Sequence, residues 1–65
     1  MKVVKVSLII KKLIENGWYI DRQKGSHRQF KHPEKSGVVT VNGKPSADTW
    51  GFELKSIENQ SGIEF

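Results

Sequence analysis

Residues 17–32 read GWYIDRQKGSHRQFKH, a pattern typical of a β-hairpin. The apolar residues Trp18 and Ile20 are separated by one position, which is the spacing of a strand with one face in a core. A tight turn is expected at Lys24-Gly25, and residues 26–32 are expected to return as a second strand. The stretch therefore predicts two antiparallel strands.

The segment before the hairpin predicts an amphipathic helix. Residues 7–16 carry four apolar side chains that share one stripe at helical spacing: Ile9, Ile10, Leu13 and Ile14. We expect Ser7 to cap the N-terminus of this helix and Gly17 to end it in the left-handed conformation.

The segment after the hairpin predicts a third strand and a second helix. Residues 33–37 are a turn by composition, and residues 38–41 are expected to form the strand. Residues 42–48 are expected to be a loop, with Asp48 or Thr49 capping the second helix and Gly62 ending it. The apolar residues expected to face the core from this end of the chain are Phe52, Leu54 and Ile57, followed by Ile63 or Phe65.

This element order, α-β-β-β-α, predicts one α+β domain over residues 1–65. Two helices would pack on one face of a three-stranded antiparallel sheet, and the other face would stay open. The chain has no Cys and is 35% hydrophobic, so its small core must form by packing alone. Its longest apolar run, residues 8–10, is far short of the roughly 20 residues that cross a bilayer. We therefore expect a cytoplasmic protein without membrane association.

Charge is concentrated in the middle of the chain. Residues 22–44 hold six Lys or Arg residues and one Glu, whereas residues 45–65 carry a net charge of −3. A basic segment that contains two histidines suits a polyanion such as nucleic acid, although ordinary solubilising charge would look the same in composition.

The side chains available for chemistry exclude two classes of site. His27 and His32 are an odd number of positions apart on one predicted strand, so they face opposite sides of the sheet and cannot bind one metal ion. Ser26 and His27 also point to opposite faces, and the chain contains no glycine-framed nucleophile for a Ser-His-Asp hydrolase.

Strand alternation leaves one histidine as a candidate. If Phe30 faces the core, then His27, Gln29 and Lys31 face outward and Arg28 faces inward. RNA carries its own nucleophile, the 2′-hydroxyl, so one general base and a cationic phosphate clamp are sufficient to begin cleavage. The alternative is a surface histidine without a role. His32 is expected to satisfy the turn before Pro33, whereas Trp18 and Trp50 are expected in the core.

Four motifs resemble one known family: Asn16-Gly17-Trp18, Arg22-Gln23-Lys24-Gly25-Ser26-His27, Gln29-Phe30-Lys31-His32-Pro33 and Val39-Thr40-Val41. In order and spacing they are similar to the HicA mRNA interferase toxins of bacterial toxin-antitoxin pairs. The C-terminal Leu54-Lys55-Ser56-Ile57 and Gln60-Ser61-Gly62-Ile63 look like the last helix of that family and its glycine stop. The chain departs from the family pattern at residues 42–48.

The resemblance implies a double-stranded-RNA-binding-domain-like fold and metal-independent endonuclease activity on mRNA. It implies His27 as the catalytic residue, no cofactor and a HicB-type antitoxin as partner, and we expect no DNA binding by the chain alone. We assign RNA binding to five residues around the histidine: Lys24, Gly25, Ser26, Arg28 and Lys31.

Two alternatives stay open: a non-catalytic RNA-binding module of the same fold, and an inactive member that only binds a protein partner. A duplex-RNA binder would be expected to carry lysines at the start of its last helix, where this chain has residues 48–51, DTWG.

Overall fold

A computed structural model describes residues Met1–Phe65 and has the expected order of two helices around three main strands, with two short strands in addition. The elements are β1 (Val4–Lys5), α1 (Val6–Glu15), β2 (Tyr19–Lys24), β3 (His27–Lys31), β4 (Val39–Asn42), β5 (Asp48–Thr49) and α2 (Gly51–Ser61). The α+β arrangement, double-stranded-RNA-binding-domain-like, is confirmed.

The main sheet is an antiparallel meander in the order β2-β3-β4. Lys24 pairs with His27, so the two-residue turn is Gly25-Ser26, one position later than expected. The third strand is also shifted by one residue and extends to Asn42. Both helices contact β4, while all six residues of β2 are exposed. The helices therefore cover only part of one sheet face.

Helix α1 begins at Val6, so its N-cap position is Lys5, two residues before the predicted cap Ser7. No side chain caps this end. Instead, the backbone N–H of Val6 donates to the carbonyl of Ala47 at 3.0 Å, and that of Ser7 donates to the carbonyl of Pro45 at 3.0 Å. The loop after β4 thus satisfies the free N–H groups that a capping side chain would otherwise bind.

The start of α2 also differs from the prediction. Asp48 and Thr49 do not cap the helix, because they pair with Val4 and Lys5 in a two-stranded sheet, and the helix begins after Trp50. Trp50 is 53% exposed and Phe52 is 97% exposed, so the expectation that they face the core is wrong. Both residues lie at the junction between β5 and α2, and neither belongs to the buried stripe of α2, which consists of Leu54, Ile57 and Ser61.

The core contains Ile9 and Leu13 of the predicted α1 stripe, but Ile14 is 56% exposed and Ile20 is 42% exposed, so the expectation that these two side chains face the core is wrong. Ten apolar side chains are buried together: Val4, Val6, Ile9, Leu13, Trp18, Phe30, Val39, Val41, Leu54 and Ile57. Gly62 ends α2 in the left-handed conformation, and Ile63 and Phe65 pack against the core as predicted. Neither helix has the length and apolarity needed to span a membrane.

Candidate functional site

A β-bulge in β2 determines which cations face the open side of the sheet. Ile20 pairs with Phe30, and the next pair is Arg22 with Gln29, so Asp21 is an extra residue in β2. Directly paired residues project to the same face of an antiparallel sheet. Arg22 therefore shares the open face with Gln29, whereas regular alternation from Ile20 would have sent it towards the core side.

The open face holds a concave surface without any hydrophobic lining residue. We call this surface the polar cleft, and its lining residues are Arg22, Gln23, Lys24, His27, Gln29, Thr40 and Asn42. They come from all three strands of the meander. The polar cleft thus contains a histidine together with two cations and several amide or hydroxyl groups.

His27 is the first residue of β3, and its side chain is exposed, as strand alternation predicted. Its pairing with Lys24 across the turn brings an ammonium group to the same face. On its other side it pairs with Asn42 of β4, and its Nδ1 is 2.7 Å from the Asn42 Oδ1. The histidine therefore has a cationic neighbour on one strand and an amide partner on the other.

Arg28 is not part of the polar cleft, which corrects its assignment to RNA binding. Its side chain points inward and is 7% exposed. The guanidinium Nη1 donates to the carbonyl of Gly43 at 2.8 Å and to that of Ser26 at 3.3 Å. A buried charge needs such partners, so Arg28 ties the β2–β3 turn to the end of β4.

Of the other residues assigned to RNA binding, Lys24, Gly25 and Ser26 lie at the β2–β3 turn beside His27, whereas Lys31 lies at the opposite end of β3. Lys24 is exposed and lines the polar cleft. Gly25 has φ +59°, which suits the tight turn, and the carbonyl of Ser26 accepts from the backbone N–H of Gly43 at 3.2 Å. Lys31 is exposed at the far end of β3, where its ammonium lies 3.6 Å from the carboxylate of Asp21.

Sequence reasoning missed Arg22 and Asn42 as members of the cleft. Arg22 could have been noticed because it begins the motif that ends in His27. The face of the sheet to which its side chain projects, however, depends on the bulge in β2. Asn42 was expected to begin the loop after the third strand. In the structure it is the last residue of β4, where it pairs with His27. No cluster of three or more His, Cys, Asp or Glu side chains is brought together in the fold.

The helices and the three-stranded sheet define a small α+β domain of the double-stranded-RNA-binding-domain type. A family model described as the HicA toxin of bacterial toxin-antitoxin systems matches residues 7–63, a range that includes every residue of the polar cleft. The chain belongs to this family of toxins, which are in general mRNA-cleaving. A search of curated proteins found no match.

Proposed function

We propose that this toxin is a metal-independent endoribonuclease that cleaves mRNA, with His27 as general base. The observation that carries the proposal is the exposed His27 in a cleft that also holds Arg22 and Lys24. A general base must reach the proton that it abstracts, and an exposed imidazole on an open sheet face can do so. The proposed place of action is the cytoplasm, where bacterial mRNA is translated.

The reaction follows from the structure of RNA. His27 takes the proton of a 2′-hydroxyl, and that oxygen attacks the adjacent phosphorus. The bond from phosphorus to the 5′-oxygen of the next nucleotide breaks, and this oxygen leaves with a proton from solvent, which reaches the open face. The products are a 2′,3′-cyclic phosphate and a 5′-hydroxyl. Positioning one base against one phosphate is the main requirement, because the nucleophile is already part of the substrate.

The two cations of the cleft supply the phosphate clamp. The Arg22 guanidinium can donate two parallel hydrogen bonds to phosphate oxygens, and the Lys24 ammonium adds a positive charge beside His27. Negative charge accumulates on the phosphoryl oxygens as the 2′-oxygen attacks, so fixed cations stabilise the transition state more than the ground state. Gln29 and Thr40 offer further hydrogen-bonding groups on the same face.

A partner antitoxin completes the proposal. We propose a HicB-type antitoxin that covers the polar cleft and so blocks access of RNA to His27. The proposal rests on membership of the toxin-antitoxin family and on the openness of this sheet face, which neither helix covers. An acidic or carboxylate-bearing segment would complement Arg22 and Lys24.

Cleavage of a labelled single-stranded RNA by the purified chain tests the proposal. Fragments ending in 2′,3′-cyclic phosphate are expected, and a chelator should not change the rate. Expression of the chain alone should arrest growth, because mRNA cleavage stops translation. Binding of RNA without cleavage would favour the non-catalytic RNA-binding module. Normal growth with soluble protein and no RNA binding would favour an inactive member that only binds a partner.

A further inference from the structure

We propose that Asn42 is a positioning residue that holds the His27 ring in the tautomer with its proton on Nδ1. The catalytic part of this inference rests on the proposed function, whereas the ring geometry does not. The evidence is the 2.7 Å contact between His27 Nδ1 and Asn42 Oδ1. An amide oxygen can only accept a hydrogen bond, so the ring nitrogen that faces it must donate.

This contact determines which nitrogen is free for chemistry. A neutral imidazole carries one N–H and one lone pair. With the proton on Nδ1, the lone pair is on Nε2, the nitrogen further from the backbone and therefore the one that extends further from the sheet. Asn42 would thus prepare Nε2 to accept the proton of the 2′-hydroxyl without any prior change of tautomer.

The fold holds both residues in register. His27 and Asn42 are direct partners in the β3–β4 pairing, so their side chains project to the same face. Beyond Asn42, the backbone of Gly43 is held on both sides: its N–H donates to the carbonyl of Ser26, and its carbonyl accepts from the buried Arg28. A slip of one residue would turn Asn42 to the other face, and these bonds oppose such a slip.

The second histidine of the chain shows what a purely structural role requires. Both ring nitrogens of His32 are bonded to backbone: Nε2 lies 2.9 Å from the carbonyl oxygen of Asn16, and Nδ1 accepts from the N–H of Glu34 at 3.0 Å. His27 lines the cleft, its Nδ1 is bonded to a side chain, and its Nε2 makes no hydrogen bond within the protein. One oriented nitrogen and one free nitrogen is the arrangement of an acid-base catalyst.

The test combines ring nitrogen NMR with single-turnover cleavage of an RNA oligonucleotide. In the wild-type protein at a pH where His27 is neutral, the ¹⁵N shifts should identify Nδ1 as protonated and Nε2 as unprotonated. Asn42→Ala should abolish this preference and lower the cleavage rate constant about tenfold to hundredfold, the usual effect of removing a group that orients a functional histidine. Its apparent affinity for RNA should change little.

Two variants separate positioning from other effects. Asn42→Asp keeps an acceptor at the same place, so it should retain the Nδ1–H tautomer and most of the rate constant, while its charge weakens RNA binding. Asn59→Ala, an exposed asparagine on α2, is the matched control and should leave both tautomer and rate unchanged.

A wild-type ring protonated on Nε2 would overturn the inference, and so would an Asn42→Ala variant with unchanged tautomer and rate. If the wild-type protein does not cleave RNA at all, the proposed function fails and the catalytic role of Asn42 fails with it. The NMR measurement would still show whether the Nδ1 of His27 donates a hydrogen bond to the side chain of Asn42.

Discussion

Gly17 and His32 approach each other so closely that a side chain at position 17 would require the His32 ring to move. A Cβ on Gly17 would lie 2.8 Å from the His32 Nε2, and the residue has φ +92°, in the left-handed region. The same Nε2 is bonded to the carbonyl of Asn16. The end of α1 is thereby fixed against the residue that follows β3.

Gly17→Ala should destabilise the protein in two ways, through strain in the left-handed backbone and through a steric contact with the His32 ring. The left-handed conformation costs an alanine about 1–2 kcal/mol, and the added methyl must also displace the His32 ring. Gly37→Ala is the matched control, because Gly37 has the same φ of +92° but nothing within 4 Å of an added Cβ. Urea unfolding should give a larger loss of unfolding free energy for Gly17→Ala than for Gly37→Ala.

Gly17→Ala should lose more unfolding free energy than Gly37→Ala only while the His32 ring is present. In a His32→Ala background, the two glycine variants should lose the same amount. A double-mutant cycle measures this coupling. Equal losses for the two glycine variants in the wild-type background would mean that the His32 ring adapts without cost.

His27→Ala should remove cleavage and keep the fold. The side chain is exposed, so its loss affects little packing, whereas deletion of one acid-base group usually lowers turnover about a hundredfold to ten-thousandfold. Single-turnover cleavage and a thermal melt are the measurements. His32→Ala is the control: it should keep most of the activity at a temperature where it is folded, but melt earlier. A fully active His27→Ala protein would refute the mechanism.

RNA binding should depend on salt through the exposed cations. If Arg22, Lys24 and Lys31 each contact one phosphate, log K should fall against log salt with a slope of about −2, given roughly −0.7 per contact on single strands. Arg22→Ala should weaken the slope by about 0.7, as measured by fluorescence anisotropy. Lys55→Ala, on α2 away from the polar cleft, should leave the slope unchanged. A flat salt response of the wild type would argue against phosphate contacts.

Acid should weaken the attachment of the C-terminus. The Glu58 carboxylate accepts from Lys2 Nζ at 2.7 Å and from the N–H of Phe65 at 2.9 Å. These two hydrogen bonds, that from Lys2 first, lower the pKa of Glu58 from its ordinary 4.5. Because this pKa is lower in the folded protein, the stabilisation is complete above the unfolded value and is lost as the pH falls through the folded value.

The stability difference between the wild type and Glu58→Gln should therefore narrow as the pH falls below about 4.5, as followed by urea unfolding at pH 7 and pH 3. Glu64→Gln, a change at an exposed acid outside the ion pairs of the fold, should show no comparable narrowing. A difference that is constant with pH would show that the Glu58 contacts do not contribute.

Local patterns in the sequence were sufficient to predict the two helices, the three main strands and the side chains that face outward from β3. The apolar stripe of α1, the glycine stops at Gly17 and Gly62 and the alternation from His27 to Phe30 depend on neighbours within a few positions. The structure matches these predictions except at Ile14, which was placed on the α1 stripe but is 56% exposed. His27 could be identified as a candidate for the same reason, since its exposure follows from the inward direction of Phe30.

Other features depend on contacts between distant segments, so no local pattern could reveal them. Val6 and Ser7 use the carbonyls of the loop after β4 in place of a cap, and the pairing of β1 with β5 joins the N-terminal residues to the segment just before α2. The bulge at Asp21 exists only relative to β3, yet it decides that Arg22 faces the cleft. The same is true of Asn42, which meets His27 only when β4 pairs in register. The sequence alone thus determined the elements and the histidine, whereas tertiary pairing decided which groups surround it, because register is a property of two strands and not of one.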